Sequence, residues 1–147
     1  MTLQSLIKLF ERDLDRLKNE IEQYSSDDKL WIVKEGITNS GGNLCAHLCG
    51  NLRHFIGAVL GRDGYVRDRH NEFTVKGLSK ANLLAEIQVT RKAVSDSLAK
   101  LTDDDLNQDY PSKSPLPNST TNETLIHLYG HLNYHLGQIN YHRRLLG

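Results

Sequence analysis

The sequence has no excess of charge of either sign. It contains 18 lysines and arginines against 18 aspartates and glutamates, so its formal net charge is zero. Proteins that bind nucleic acid or an anionic membrane surface through charge carry a positive excess. We therefore expect no nucleic-acid partner and no membrane partner for this chain.

Long apolar runs are also lacking. No stretch approaches the roughly 20 apolar residues that a membrane-spanning helix needs. The first residues, MTLQSLIKLFERDLDRL, have neither the apolar block nor the small-residue cleavage site of a signal peptide. Two cysteines, Cys45 and Cys49, are too few for a disulfide framework, which suits a reducing compartment. We expect a cytoplasmic protein.

Proline is scarce, and its distribution favours helices. All three prolines lie in the stretch DYPSKSPLP, and elsewhere apolar residues recur every three or four positions, the period of an amphipathic helix. This pattern predicts four helices, over residues 2–24, 42–60, 80–101 and 120–147. Asn39 or Ser40, Ser79 and Thr120 are the predicted N-caps, and Thr102 begins a short extra turn.

These elements predict the fold class. A length of 147 residues fits one domain, and four long helices with no convincing strand predict an all-α four-helix bundle over residues 1–147. The segments after the second and third helices are long, so the connectivity need not be simply up-and-down. The first of them, GRDGYVRDRHNEFTVKG, is charged and aperiodic and predicts a loop. Its Arg67 and Arg69 would either bind carboxylates of a small-molecule substrate or form a surface salt-bridge cluster.

Histidines are concentrated in the last predicted helix. The stretch HLYGHLNYHLGQINYH contains His127, His131, His135 and His142. At about 100° and 1.5 Å per residue, two histidines four positions apart can reach one ion. Of the two possible pairs, 127/131 and 131/135, the angles favour His131 and His135, which lie nearer the apolar stripe, whereas His127 points further toward solvent.

The second predicted helix supplies a candidate for a third ligand. His47, Asn51 and His54 lie on a polar edge beside its apolar stripe, and the spacing lets only one of the two histidines join a given ion. Cys45 and Cys49 point away from that edge, so we expect them to be packing residues. This pattern leaves two interpretations open, namely a metal site or histidines on a solvated surface.

The two histidine-bearing segments together resemble a known family. AHLCGNLRH and HLNYHLGQI are similar to the DinB-like superfamily of four-helix metal proteins, which includes bacillithiol S-transferases and mycothiol-dependent maleylpyruvate isomerases. His47, His131, His135, Gly137 and Gln138 match its pattern. A narrower likeness, which covers most of the chain, is to an uncharacterised bacterial subgroup of that superfamily. It is carried by LWIVKEGITNSGGNL, DGYVRDRHNEF and GLSKANLLAEI. One departure is YHLGQ, because many relatives have HHRGQ there.

The resemblance implies a metal centre formed by His47, His131 and His135. Three imidazoles suit Zn²⁺, Ni²⁺ or Fe²⁺ and leave positions open, where an ion can activate a low-molecular-weight thiol or water. The implied function is a metal-dependent thiol S-transferase acting on electrophiles. The alternatives are a non-catalytic metal-binding stress or interaction protein and a metal-dependent hydrolase. We expect metal affinity to fall as the pH drops through about 6.

The remaining expectations concern supporting residues and assembly. Arg67, Arg69, Asn51, Gln138 and His54 are candidates for substrate binding or for hydrogen bonds to the ligands. No residue is identified as a protein nucleophile or catalytic base. The resemblance also implies a homodimer, and the apolar residues nearest the edges of their stripes are candidates for its contact surface. These residues are Phe10, Ile56 and Leu60.

Overall fold

The computed structural model describes residues 1–147 and is all-helical, which confirms the all-α part of the predicted fold class. Six α-helices are present, and they have the following bounds. They are α1 (Leu3–Glu22), α2 (Gly41–Leu52), α3 (Arg69–Thr74), α4 (Lys80–Leu98), α5 (Asp103–Leu106) and α6 (Thr121–Leu146). A 3₁₀ turn at Asp28–Trp31 lies between α1 and α2. No helix combines the length and the apolar character needed to cross a membrane.

Side-chain caps fix the starts of the long helices. Ser40, Ser79 and Thr120 each accept a hydrogen bond from the backbone N–H three residues later, as predicted. At Thr120 the Glu123 carboxylate accepts the cap's own backbone N–H in return, which completes a capping box. Each such cap contributes about 1 kcal/mol to helix stability. The polar signals in the sequence therefore locate the helix starts to within about one residue.

The core lies among four of the helices. Helix α1 packs against α4 and α6, and α2 packs against the same two helices. Apolar residues from all four helices form one buried cluster. Phe10 and Ile56 are fully buried in this cluster within a single chain, and Leu60 packs against it. Phe10 and Ile56 therefore offer no surface to a second copy, contrary to the expectation from their positions on the stripes, whereas Leu60 is only partly buried.

The second helix departs from the expected α-helix at its midpoint. From Arg53 to Leu60 it continues as a π-helix, in which the Gly61 N–H bonds to the Ile56 carbonyl at 2.9 Å. The Phe55 carbonyl accepts a hydrogen bond of 2.7 Å from the Tyr110 hydroxyl. A π-helix holds more residues per turn than an α-helix, so angles computed at 100° per residue hold only as far as Leu52.

The predicted loop after the second helix contains the short helix α3. Asp68 caps it by accepting a hydrogen bond from the Asn71 N–H at 3.1 Å. Its other end is tied to α2, because the Asn43 amide donates to the carbonyls of Glu72 at 3.1 Å and Val75 at 2.8 Å. Six residues are too few to show a helical period, so the sequence pattern could not reveal α3.

Candidate metal centre

Three histidines from two helices converge on one point. His47 is on α2, and His131 and His135 are one turn apart on α6. The Nε2 atom of His131 lies 3.1 Å from Nε2 of His47 and 3.1 Å from Nε2 of His135. One nitrogen from each ring lies within 4.8 Å of the others, which is close enough for a shared ion. His47 is buried, and the other two are half-buried.

Hydrogen bonds on the far side of two rings set their tautomers. The Nδ1–H of His47 donates to Oε1 of Glu72 at 3.0 Å, and the Nδ1–H of His135 donates to Oε1 of Gln138 at 2.7 Å. A neutral imidazole that carries its proton on Nδ1 has a lone pair on Nε2. The lone pairs of His47 and His135 therefore face His131, which is the arrangement that metal ligands need.

Glu72 and Arg67 form the support behind His47. The Arg67 guanidinium donates to both oxygens of Glu72, at 2.8 Å to Oε2 and 2.9 Å to Oε1. Burial alone would raise the pKa of Glu72, but the hydrogen bonds from His47 and Arg67 outweigh burial and lower it. The Arg67 side chain is only 12% exposed, so its role is not that of a surface salt bridge. The site also has an anionic neighbour that three imidazoles alone would lack.

The environment keeps the α6 histidines neutral. Burial, reinforced by the nearby His135 and His47, lowers the pKa of His131 to about 4. Burial is also the main cause of the lowered pKa of His135. Only unprotonated imidazole binds a metal, so both rings are ready for an ion at neutral pH.

The nitrogen spacing suits a small divalent cation. Zinc–nitrogen bonds of about 2.1 Å in a tetrahedral site place ligand nitrogens about 3.4 Å apart, close to the observed 3.1 Å. Without an ion, an Nε2–H of His131 can be donated to only one of the two Nε2 lone pairs that face it, so the other stays unpaired. The Nδ1 atom of His131 is buried without a partner, so this ring alone lacks the hydrogen bond that its two neighbours have. The residues present therefore fit a divalent metal.

A cavity of about 240 Å³ lies beside the histidines. Its apolar part is formed by Phe55, Leu128 and Pro115, and its polar part comes from α2, α6, the start of α3 and the segment before it. These polar residues are His47, Asn51, Arg67, Arg69, His127 and His131. No carboxylate lines the cavity, so it suits an anionic or neutral small molecule.

A known protein family matches the chain over its whole length, including all the residues of the site. The family model described as "Protein of unknown function (DUF1572)" matches residues 1–147, which include α3 and both histidine-bearing helices. The chain belongs to the DUF1572 family. No functionally curated protein matches it in sequence. For this DUF1572 protein, the geometry of the site is therefore the evidence from which a function is inferred.

Several candidates from the sequence lie at different distances from the centre. Gln138 contacts His135, and Asn51 and Arg69 line the cavity, whereas His54 packs its ring against Phe55 and is not part of the histidine cluster. Burial lowers the pKa of His54, with a further contribution from the Arg67 charge. The free cysteines Cys45 and Cys49 are buried in the core and are not part of the cluster.

Two further histidines of α6 in this DUF1572 protein lie outside the cluster. His142 is buried, where its Nε2–H donates to the Ile32 carbonyl at 2.8 Å and its Nδ1 accepts from the Tyr24 hydroxyl at 2.7 Å. His127 is exposed, as its angle predicted, yet it lines the cavity.

The sequence did not identify Glu72 as the hydrogen-bond partner of His47. Metal-bound histidines often donate to a carboxylate, which predicts an acidic partner. The loop contains three acidic residues, however, and the sequence pattern does not distinguish among them.

Proposed function

We propose that this protein binds a divalent ion such as Zn²⁺, Ni²⁺ or Fe²⁺ through His47, His131 and His135 and acts as a metal-dependent thiol S-transferase. The proposal includes a DinB-like four-helix bundle as its scaffold. The observation that supports it best is the cavity beside the three converging nitrogens, with arginine on its wall and no carboxylate. An ion sealed by side chains would instead favour a non-catalytic role.

The ion would supply one part of the chemistry, since three imidazole ligands leave a position for a thiol and metal coordination lowers the thiol pKa. The protein supplies position and electrostatics. Phe55, Leu128 and Pro115 form an apolar wall for the carbon skeleton of a small substrate. Arg69, which is exposed and lines the same cavity, is the free cation for a substrate carboxylate.

Arg67 has a different role from Arg69. Both oxygens of Glu72 hold its guanidinium, so its charge and donors are already engaged. Binding a substrate carboxylate through Arg67 would require breaking a buried, charge-assisted pair, which is costly. We therefore assign Arg69 to the substrate and Arg67 to the support of His47.

His127 is the group in the cavity that can accept the thiol proton. Glu72 is engaged on both oxygens, and arginine stays protonated, whereas the exposed His127 imidazole has no hydrogen-bond partner within the protein. In the proposed transfer, the proton of the thiol S–H moves to His127 and the sulfur–carbon bond forms as the leaving group departs with its electron pair. The leaving group then takes the proton from His127, which balances the reaction.

The test has two stages. Purified protein is first analysed for divalent metal, and we expect about one ion per chain. Turnover of an electrophile such as monochlorobimane is then measured with a panel of low-molecular-weight thiols, with and without added metal. Metal-dependent consumption of one thiol supports the transferase. Stoichiometric metal without turnover of any thiol would instead support the non-catalytic alternative, and hydrolysis of the electrophile without a thiol would support the hydrolase.

Pairing of two copies is a separate part of the proposal. Tyr134, Tyr141 and Leu145 are each more than half exposed on α6 and recur at steps of seven and four residues, so they share one outward face of the helix. Exposed aromatic residues at such spacing suit helix–helix contact. A light-scattering mass near 16.7 kDa at micromolar concentration would contradict a homodimer, and Tyr141→Lys should convert a dimer into that monomer.

A further inference from the structure

Helix α2 has a notch that is filled by the Glu72 carboxylate. Gly50 lies three residues after His47, so the two residues share one side of the helix. A Cβ atom added to Gly50 would overlap Oε2 of Glu72 and would lie 2.5 Å from its Cδ. Both residues are buried. Only glycine allows the carboxylate to approach α2 this closely.

We propose that Gly50 is a positioning residue of the metal centre, because the space left by its missing side chain holds Glu72 against His47. This inference rests on the proposed metal binding. In this arrangement Glu72 keeps the proton of His47 on Nδ1 and the lone pair on Nε2, where the ion binds. Gly50 thus acts on the ion through two other side chains and contacts neither ion nor substrate.

The backbone that carries Glu72 cannot retreat if the notch is filled. Asn43 holds the carbonyls of Glu72 and Val75 with two hydrogen bonds, and the Phe73 ring packs on the His47 ring with centroids 4.6 Å apart. The overlapping atoms, by contrast, are the far end of a flexible side chain. Alanine at position 50 should therefore displace the carboxylate while α3 stays docked on α2.

This prediction differs from that of a purely structural glycine. Glycine inside a helix is intrinsically less favourable than alanine by about 1 kcal/mol, so nothing in the helix itself requires Gly50. If Gly50 served packing alone, its replacement would change the melting temperature and leave the intrinsic metal affinity of the folded protein unchanged. If it serves Glu72, the metal affinity falls even when the fold is intact.

The experiment compares metal dissociation constants measured by competition with a chromophoric chelator. The variants are Gly50→Ala, Glu72→Gln, the corresponding double variant, and Gly130→Ala as the control. Gly130 is a helical glycine of α6 whose added Cβ would meet nothing within 4 Å. We expect Gly50→Ala and Glu72→Gln each to weaken binding about 10- to 100-fold, as loss of a histidine's carboxylate partner does in other metal sites. Gly130→Ala should bind as the wild type does.

The double variant separates the proposed route from an independent effect. Because Gly50 acts through Glu72, the double variant should bind no more weakly than Glu72→Gln alone. Wild-type affinity in a folded Gly50→Ala variant, or a double variant whose loss is the product of the two single losses, would overturn the inference while the metal site stands. Failure of the wild type to bind metal would overturn the proposed function and this inference with it.

A second pair of variants keeps the test decisive if Gly50→Ala does not fold. Glu72→Ala removes the carboxylate and empties the notch, so Gly50→Ala can be added without overlap. Circular dichroism confirms that both proteins are folded. Equal dissociation constants for Glu72→Ala and the Gly50→Ala, Glu72→Ala pair support the inference, and weaker binding by the pair overturns it.

Discussion

Two buried carboxylates in this protein are held by arginine, but only one of them lies beside polar atoms that have no partner. Asp13 on α1 is fully buried and accepts hydrogen bonds from four side chains. The donors are Arg12, Arg16, Tyr129 and Asn133, three of them at 2.9 to 3.2 Å. Each oxygen of Asp13 therefore has several donors, and the network closes on itself across α1 and α6.

The network around Glu72 does not close in this way, so we call it the open network and that of Asp13 the closed network. It runs from Arg67 through Glu72 to His47 and ends at Nε2 atoms that face one another. Two atoms of cavity-lining residues, Oδ1 of Asn51 and Nδ1 of His131, are buried without a partner. Burial and ion pairing are thus common to both networks, so neither property marks a functional site. Arg16 and Asn133, two donors to Asp13, also line a cavity, so an adjoining space does not separate the networks either. What distinguishes the second network is the presence of polar atoms without partners.

The largest effect is expected from removing His131, the histidine at which the open network ends. His131→Ala should weaken metal binding by more than about 100-fold, because loss of a ligand exceeds the 10- to 100-fold cost of losing a ligand's partner. His54→Ala, which removes the other histidine of the second helix that was a candidate ligand, is the control and should bind normally. Metal analysis after dialysis measures both. Undiminished occupancy in His131→Ala would refute the assignment of the ligands.

The next effect concerns proton transfer in the cavity beside this network, where His127 lies. His127→Gln should lower kcat for the thiol transfer about 100-fold, in the range that a general base contributes, and should leave metal content unchanged. His70→Gln changes an exposed histidine of α3 outside the cavity and should have wild-type kinetics. Steady-state kinetics test the pair, and a His127→Gln enzyme with normal kcat would remove His127 from the proposed reaction.

Breaking the closed network should affect stability alone. Asp13→Asn should lower the free energy of unfolding by about 2 kcal/mol at neutral pH, because charge-assisted hydrogen bonds to a buried group are lost. Metal affinity should not change. A weaker metal site in this variant would show that the two networks are coupled and would break the contrast between them.

The same variant carries a dependence on pH with a defined sign. Burial raises the pKa of Asp13, but the hydrogen bonds from Arg12, Tyr129 and Asn133 outweigh it, so the pKa lies below 3.8. A carboxyl whose folded pKa is lowered stabilises the fold above its unfolded pKa and loses that contribution as the pH falls through the folded value. Denaturant titrations should therefore show the difference between wild type and Asp13→Asn shrinking below about pH 4.

Protons should compete only weakly with the metal ion for the histidines of the α6 helix. Two histidines that titrate at their ordinary values would together weaken metal binding about 100-fold at pH 5.5. Because the pKa of His131 is lowered to about 4 and that of His135 is lowered as well, we expect their part of this loss to appear only at lower pH. This replaces the expectation of a loss centred near pH 6. Chelator competition between pH 7 and 5.5 measures it, and a loss approaching 100-fold would contradict the lowered pKa values.

The smallest expected effect lies at the wall of the cavity. Arg69→Ala should raise the KM for an anionic thiol about tenfold with little change in kcat, because the guanidinium would bind a remote carboxylate rather than the reacting atoms. Lys76→Ala, which removes an exposed cation outside the cavity, is the control. If both variants raise KM equally, the effect is general electrostatic attraction and Arg69 has no specific role.

The sequence predicted the parts of this protein that depend on local pattern. The helices follow from apolar spacing and from the caps at Ser40, Ser79 and Thr120, all of which act within one turn. His131 and His135 share a helix, so their proximity follows from spacing. Pairing them with His47 required the family resemblance, because no local rule relates positions 84 residues apart.

The contribution of Glu72 could not be predicted for a related reason. It is 25 residues from His47, and it reaches the site through a helix of six residues that has no detectable period. The sequence also gives no sign of the notch at Gly50, because the residue reads only as a glycine that weakens a helix. Such contacts depend on how elements dock, and docking is decided by three-dimensional complementarity rather than by neighbours along the chain.

The π-helix at Arg53–Leu60 changes the helical winding between His47 and the cavity-lining Phe55, so the directions in which these two side chains point are set independently. His47 and Gly50 precede it, whereas Phe55 lies within it. A single-residue deletion inside the π-helical segment would restore α-helical winding and rotate Phe55 relative to the cavity while leaving His47 in place. Insertions and deletions here would thus change the shape of the cavity and leave the position of His47 unchanged.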